Sequence, residues 1–421
     1  MDVNRLHLFI MGIPLFLILS SCDQPRTEEK VFPKMKEECQ SSALSGQYLV
    51  RWSDGHVSRE FGKNRESFLR SFVRPQLDKI DYVENDRIVK LDTPQLDDKK
   101  EQETIRPDNW GIQRIGAENA WSVGVGGQDI LIAVIDSGID IHHPLLKNQI
   151  YHNPGEQGLD DEGRSKDDNG IDDDANGLID DVTGYDFALD TGKIEDHSFH
   201  GTHIAGIIAA EHHDSEHLEG HMQGTAPLAK LLPLTFIDSS GAGALGDAIH
   251  AIDYAVLMGA KIINASWGGA PCSKILKEKI RSLIQQNILF VSAAGNRGSN
   301  IDVQKEYPAS YGVESQITVG AVGPLDLMAD YSNYGDLSVH LFAPGQRIVS
   351  TIPGGGLQAA SGTSMAAPFV AGAAALLWSS RPQASSLEIR SLLLASIHPD
   401  TSYRNSTQGR LYLDREKFTT H

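Results

Sequence analysis

Apolar residues fall along this chain in two different rhythms. Residues 47–52 (QYLVRW) alternate as a half-buried strand does, 64–73 carries a short helical period, and 81–91 holds two more strand-like runs. Together they predict a small α+β unit over 46–92. Farther on the rhythm changes. Unbroken apolar runs recur at 130–135, 261–264, 288–291 and 317–322, and helical spacing falls over 202–211, 244–258, 273–286 and 364–379. A strand that is apolar at every residue is covered on both faces. These runs therefore predict an α/β fold of three layers with a mostly parallel sheet, spanning 109–421. In such a sheet reactive groups gather at the carboxyl ends of the strands.

Segments without either rhythm mark the boundaries. Residues 22–45 and 93–108 are polar and charged with no apolar face, a tether and a linker open to cleavage. At the start, Arg5 precedes an apolar run over 8–19, too short for the ~20 residues that span a bilayer. It reads as an export signal over 1–21. Its end, Leu19-Ser-Ser-Cys22, resembles the lipobox of bacterial lipoproteins, which implies lipidation of Cys22, a membrane anchor before processing, and a cell-envelope or secreted location. Cys39 and Cys272 then remain, in units that cleavage would separate, so they are expected to stay unpaired with Cys272 a free thiol.

Charge narrows the partners. A net charge of −19 excludes nucleic acid, which needs a basic face. Most of it sits in one acidic insertion, 151–196, with fifteen Asp and Glu against three Lys and Arg. Within it Asp172, Asp174, Asn176, Gly177 and Asp180 follow the D-x-D-x-N-G-x-x-D opening of a calcium loop. Thr183 stands where the usual twelfth-position Glu would be, and Asp181 is the expected substitute. The expectation is a structural Ca2+ and no organic cofactor; a solvated acidic loop is the bland alternative.

Three short segments carry the chemistry: VIDSGID around Asp136, HGTH at His200 and SGTSMAAP around Ser364. Asp136 ends an apolar strand, His200 opens a helix, and Ser364 sits at the N-terminus of an apolar helix. There unpaired N–H groups favour developing negative charge. Serine needs a base, and the base an orienting acid. Two other readings compete: zinc hydrolysis by the His213-x-x-Glu216-His217 spacing, and an inactive homologue that only binds peptides.

The three segments resemble those of the subtilisin-like serine proteases, over about 110–413. The resemblance implies a serine endopeptidase acting on polypeptides through an acyl-enzyme, with Asp136 orienting His200, His200 (not His203) as base and Ser364 as nucleophile. It implies an oxyanion hole at Asn296. It implies that Gly241, Ala242 and Gly243, with Ser266, Trp267 and Gly268, sandwich an extended substrate. Ala293, Ala294 and Gly295 would line a roomy apolar pocket for the side chain before the cleaved bond, with Arg297 at its rim disfavouring Lys or Arg. Finally, 46–92 resembles the propeptides of that family, an intramolecular inhibitor removed by a cut within 93–108.

Overall fold

The computed structural model describes residues 31, 43–91, 95–96, 109–212, 222–269 and 272–419. The export signal, Cys22, Cys39, almost all of the 93–108 linker and the His213/Glu216/His217 cluster lie outside the described residues.

At the N-terminal end, β1 (Ala43–Trp52) pairs antiparallel with both β2 (Val57–Phe61) and β3 (Ile80–Lys90). Tyr48, Val50, Ile80 and Val83 pack on Phe68 and Val73 of the helical stretch, a small core of their own. The helical period begins as expected, with the Asn64 side chain capping Ser67 N–H. It then loosens into a wider turn over Leu69–Val73 and tightens over Arg74–Gln76, so the stretch is not one regular helix.

The remaining strands are β4 (Gln95–Leu96), β5 (Leu131–Asp136), β6 (Tyr185–Asp186), β7 (Lys230–Thr235), β8 (Ala242–Ala244), β9 (Ile262–Ala265), β10 (Leu289–Ala293), β11 (Gln316–Val322), β12 (Leu341–Pro344), β13 (Ile348–Ile352), β14 (Gly356–Ser361), β15 (Ile397–Pro399) and β16 (Gly409–Leu411). Nine of them form one sheet in the order β15-β16-β12-β11-β10-β9-β5-β7-β6, parallel throughout except at the β15/β16 edge. The sheet has a packed core on each face, which is why its strands read as unbroken apolar runs. On β5, Ile132 and Val134 join the cluster under helices His200–Ala209, Thr363–Ser379 and Ser386–Leu394. Ala133 and Ile135 join the cluster under Leu245–Leu257 and Lys274–Ser282. The three expected layers are these.

Strand β7 was not among the expected runs, and it carries Pro233. It is nevertheless a full partner of β5. On its other side, among the described residues, it meets only an isolated bridge at Leu231 and the two-residue β6 at Leu234 and Thr235, so Pro233 lies in a gap of that ladder.

Cys272 corrects one expectation. It is disulfide-bonded, not a free thiol. Since the chain has three cysteines, its partner is Cys22 or Cys39.

Candidate active site

Asp136 is the last residue of β5, and parallel pairing with β7 and β9 delivers it to the carboxyl edge of the sheet. The chain must turn at once, and Gly138 does so at φ +104°; a Cβ there would lie 1.9 Å from the Glu195 carbonyl oxygen. His200 is the first residue of its helix. Its Nδ1 donates to Asp136 Oδ1 at 2.7 Å, and both side chains are fully buried. Burial alone would lower the His200 pKa, but the contact and hydrogen bond with Asp136, helped by Asp196, outweigh it and raise the pKa above its ordinary value. With Nδ1 donating, Nε2 is the accepting nitrogen, and it is buried with no hydrogen-bond partner among the described residues.

The pair is braced by neighbours within the same two segments and by Asp196, which lies outside both. Ser137 Oγ accepts from Gly201 N–H at 3.0 Å and donates to Asp196 at 2.8 Å. Asp196 also accepts from the Thr202 backbone and hydroxyl. The helix start is thereby tied to the strand end. His203, one turn on, is different: it bonds the Gln358 carbonyl at 3.0 Å, and burial drives its pKa down to about 3. It is a neutral structural residue.

Ser364 is the second residue of helix Thr363–Ser379. Pro368 has no N–H, so the Ser364 carbonyl has no helical partner four residues on. The Ser266 hydroxyl fills that place at 2.9 Å, and the Ser364 hydroxyl donates to the Ser266 carbonyl, also at 2.9 Å. This reciprocal pair fixes the serine against the 264–268 segment. In this conformation the hydroxyl bonds Ser266 and not His200. Asn296 lies beside it: its Oδ1 accepts from Thr363 N–H at 2.8 Å and Thr363 Oγ at 2.9 Å, which turns its NH2 group away from Thr363.

Two segments flank the groove, and an extended chain occupies it. The end of β3 pairs antiparallel with β8 (Ile88 with Ala244, Val89 with Gly243, Lys90 with Ala242). Lys90 also bridges Gly268 on the other side, and Leu91 N–H donates to the Gly241 carbonyl at 2.8 Å. Gly241, Ala242, Gly243 and Gly268 therefore act through backbone. Trp267 does not face the groove: it is buried, with its indole N–H on the Ile135 carbonyl. Ala293 and Ala294 are buried too, Ala294 in a small core behind the strand end. The β3 unit also caps two helices. Glu84 accepts from Ser273 Oγ at 2.6 Å and Lys274 N–H at 2.8 Å, and Asp86 from Gly246 N–H at 3.0 Å.

The acidic insertion gathers differently from its sequence motif. Carboxylate oxygens of Glu156, Asp174 and Asp181 lie within 4.8 Å of one another. Asn153 Nδ2 donates to Asp174 and Asp181, Asn176 Nδ2 donates to Asp181, and the Tyr254 hydroxyl makes a short bond to Asp181. Asp172 accepts from Asn176 and Gly177 N–H, and Asp180 from Gly170 N–H, so these two shape the turn. Glu156 is fully buried, burial and the neighbouring carboxylates raise its pKa, and its Oε2 has no hydrogen-bond partner among the described residues. Three converging carboxylates and an orphaned buried oxygen fit a hard cation that takes oxygen ligands. Glu156 and Asn153 precede the motif, and nothing in its spacing pointed to them.

A family model described as the subtilase family matches residues 127–415. The chain is 36% identical over 270 residues to the major intracellular serine protease of Bacillus subtilis (strain 168), covering 63% of this chain and 74% of that protein. It is 35% identical over 286 residues to subtilisin E of the same organism, covering 68% of this chain but only 64% of that protein. Alkaline serine exoprotease A of Vibrio alginolyticus is 29% identical over 406 residues, 92% of this chain and 66% of that one. Among solved structures, a cold adapted subtilisin-like serine proteinase superposes with a TM-score of 0.56 at 26% identity, covering 72% of this chain and 97% of that one.

Proposed function

The chain belongs to the subtilase family and is a subtilisin-like serine endopeptidase acting on polypeptides; from that premise we propose that Ser364, His200 and Asp136 form its triad, with Asn296 completing the oxyanion hole. The observation that carries the assignment is the buried 2.7 Å bond from His200 to Asp136, which leaves Nε2 as the accepting nitrogen of the imidazole. Ser364 Oγ attacks the peptide carbonyl carbon while its proton passes to His200 Nε2. The oxyanion is held by the Asn296 NH2 and the Ser364 backbone N–H. His200 returns the proton to the departing amine nitrogen as the C–N bond breaks, leaving an ester on Ser364. Water, losing a proton to the same Nε2, then cleaves the ester and restores the serine.

The groove reading extends to partners. Substrate adds as a strand between 241–243 and Gly268, the place the end of β3 takes. The unit over 46–92 is thus the enzyme's own inhibitor until the linker is cut. Glu156, Asp174 and Asp181 hold a structural Ca2+ whose charge offsets their mutual repulsion. We place the precursor in the cell envelope, exported by residues 1–21 and lipidated at Cys22; metabolic labelling with palmitate, lost in Cys22→Ala, tests that step.

Expression of wild type beside Ser364→Ala tests the core reading. The wild type should process itself and degrade a generic protein substrate, with both reactions stopped by a serine-directed phosphonylating reagent. Ser364→Ala should stay full length and inert. Equal activity in the two would end the assignment.

A further inference from the structure

The pocket beside the nucleophile is not the apolar one its small residues imply. Lys90 bridges Gly268 in antiparallel register, and the Ser364 hydroxyl sits on the Ser266 carbonyl. A strand continuing in that register comes level with Ser266, and so with the nucleophile, two residues past the one opposite Gly268. The side chain there, which precedes the cleaved bond, enters between 266–269 and 293–295. Both walls are bare at their glycines, and one atom lies beneath all three. Glu306 Oε1 is 2.9 Å from where a Cβ on Gly295 would be, and 3.7 Å from those on Gly268 and Gly269. That places a carboxylate at the floor where the two walls meet.

The carboxylate is built in. Its side chain is 4% exposed. Oε2 accepts from Asn333 Nδ2 at 2.9 Å, and the same NH2 group donates to the Ala294 carbonyl. Asn333 Oδ1 in turn accepts from the N–H groups of Arg297 and Ser299. Arg297 supplies a counter-charge, with Nη2 3.9 Å from Glu306 Oε1, but its side chain is 61% exposed. The two charges differ in freedom. Glu306 is fixed and desolvated, whereas Arg297 is a solvated arm that loses little by swinging out.

We propose that Glu306 makes this pocket selective for lysine and arginine in the residue preceding the cleaved bond, a claim that rests on the endopeptidase reading above. An entering ammonium or guanidinium replaces Arg297 as the partner of the buried carboxylate. An entering Asp or Glu would be brought against a like charge in a water-poor site. An apolar side chain would strip solvent from Glu306 without replacing its counter-charge. Arg297 is therefore a displaceable competitor, and the expectation that it repels basic substrates is reversed.

The test uses the self-processed enzyme and one peptide series that differs only at that position, with Lys, Arg, Leu or Glu. The wild type should cleave Lys and Arg with kcat/KM about 10-fold or more above Leu, with Glu poorest. Glu306→Gln should cut the Lys-to-Leu ratio by about 10-fold, and Arg297→Ala should raise it. A wild type that prefers Leu to Lys overturns the proposal, as does a ratio that Glu306→Gln leaves unchanged. If Glu306→Gln does not fold, the wild-type ratio and Arg297→Ala still decide. Cleavage of the Leu peptide without Lys preference sinks the pocket assignment alone; no cleavage of any peptide sinks the endopeptidase reading and this with it.

Discussion

Replacing Asn296 by alanine should damage catalysis far more than binding, and the two ends of its amide account for different parts of the loss. Oδ1 holds two hydrogen bonds, from Thr363 N–H at 2.8 Å and Thr363 Oγ at 2.9 Å. At about 1 kcal/mol each, their loss lowers stability by about 2 kcal/mol. The NH2 end would meet negative charge that exists only in the transition state. Losing such a donor costs roughly 2.7–4 kcal/mol, or about 10²- to 10³-fold in kcat, a magnitude established for this enzyme family and not obtained from these distances. KM should barely move, because the ground-state carbonyl makes no comparable demand. Thr363→Val separates the two ends: it keeps the NH2 group but removes one of the anchors that aim it, so kcat should fall about 10-fold with KM again unchanged. The assay is steady-state hydrolysis of one peptide by each variant, with a melting curve to confirm folding. An Asn296→Ala enzyme whose KM rises while kcat holds would show that Asn296 binds substrate and does not stabilise the oxyanion.

Other consequences are as direct. His200 must be neutral to act, and its pKa is raised, so kcat/KM should climb with pH through a midpoint above 6.5. The sign is opposite for stability: the charged His200–Asp136 pair stabilises the fold at lower pH, and that contribution is lost as pH rises through the raised pKa. An acid limb centred below 6.5 would contradict the pairing. Chelation should lower the melting temperature on the order of 10 °C, from about 4 kcal/mol of linked binding at saturating calcium. Glu156→Gln should be nearly insensitive to chelator, and an unchanged wild-type melt would remove the calcium site. Because both possible partners of Cys272 precede residue 43, a chain cut within 93–108 should stay covalently joined to its N-terminal unit. A gel without reductant should show one species at precursor mass and a gel with reductant two. Two species in both would refute the cross-link.

Much of this protein is written in local pattern. A strand covered on both faces must be apolar at every residue, so β5, β9, β10 and β11 could be found without coordinates. A catalytic residue needs a backbone that presents it, so the proposed triad of Asp136, His200 and Ser364 came with recognisable neighbours: a strand end, a helix start, and a proline four residues past the serine. Tertiary structure decided what depends on residues distant in sequence. Strand β7, absent from the expected runs, carries Pro233 where a gap in the ladder accommodates it. The calcium motif named Asp172 and Asp180, yet they hold the turn while Glu156, from an earlier segment, joins Asp174 and Asp181. Cys272 read as free because cleavage would separate its unit from that of Cys39, yet it is disulfide-bonded. Glu306 gave no local signal at all, since a lone glutamate in a polar loop becomes a pocket floor only when three glycines from two other segments close over it. Periodicity and backbone chemistry act over a few residues and survive in one dimension. Burial, charge pairing and pocket shape are set by which segments meet, and only the folded chain fixes that.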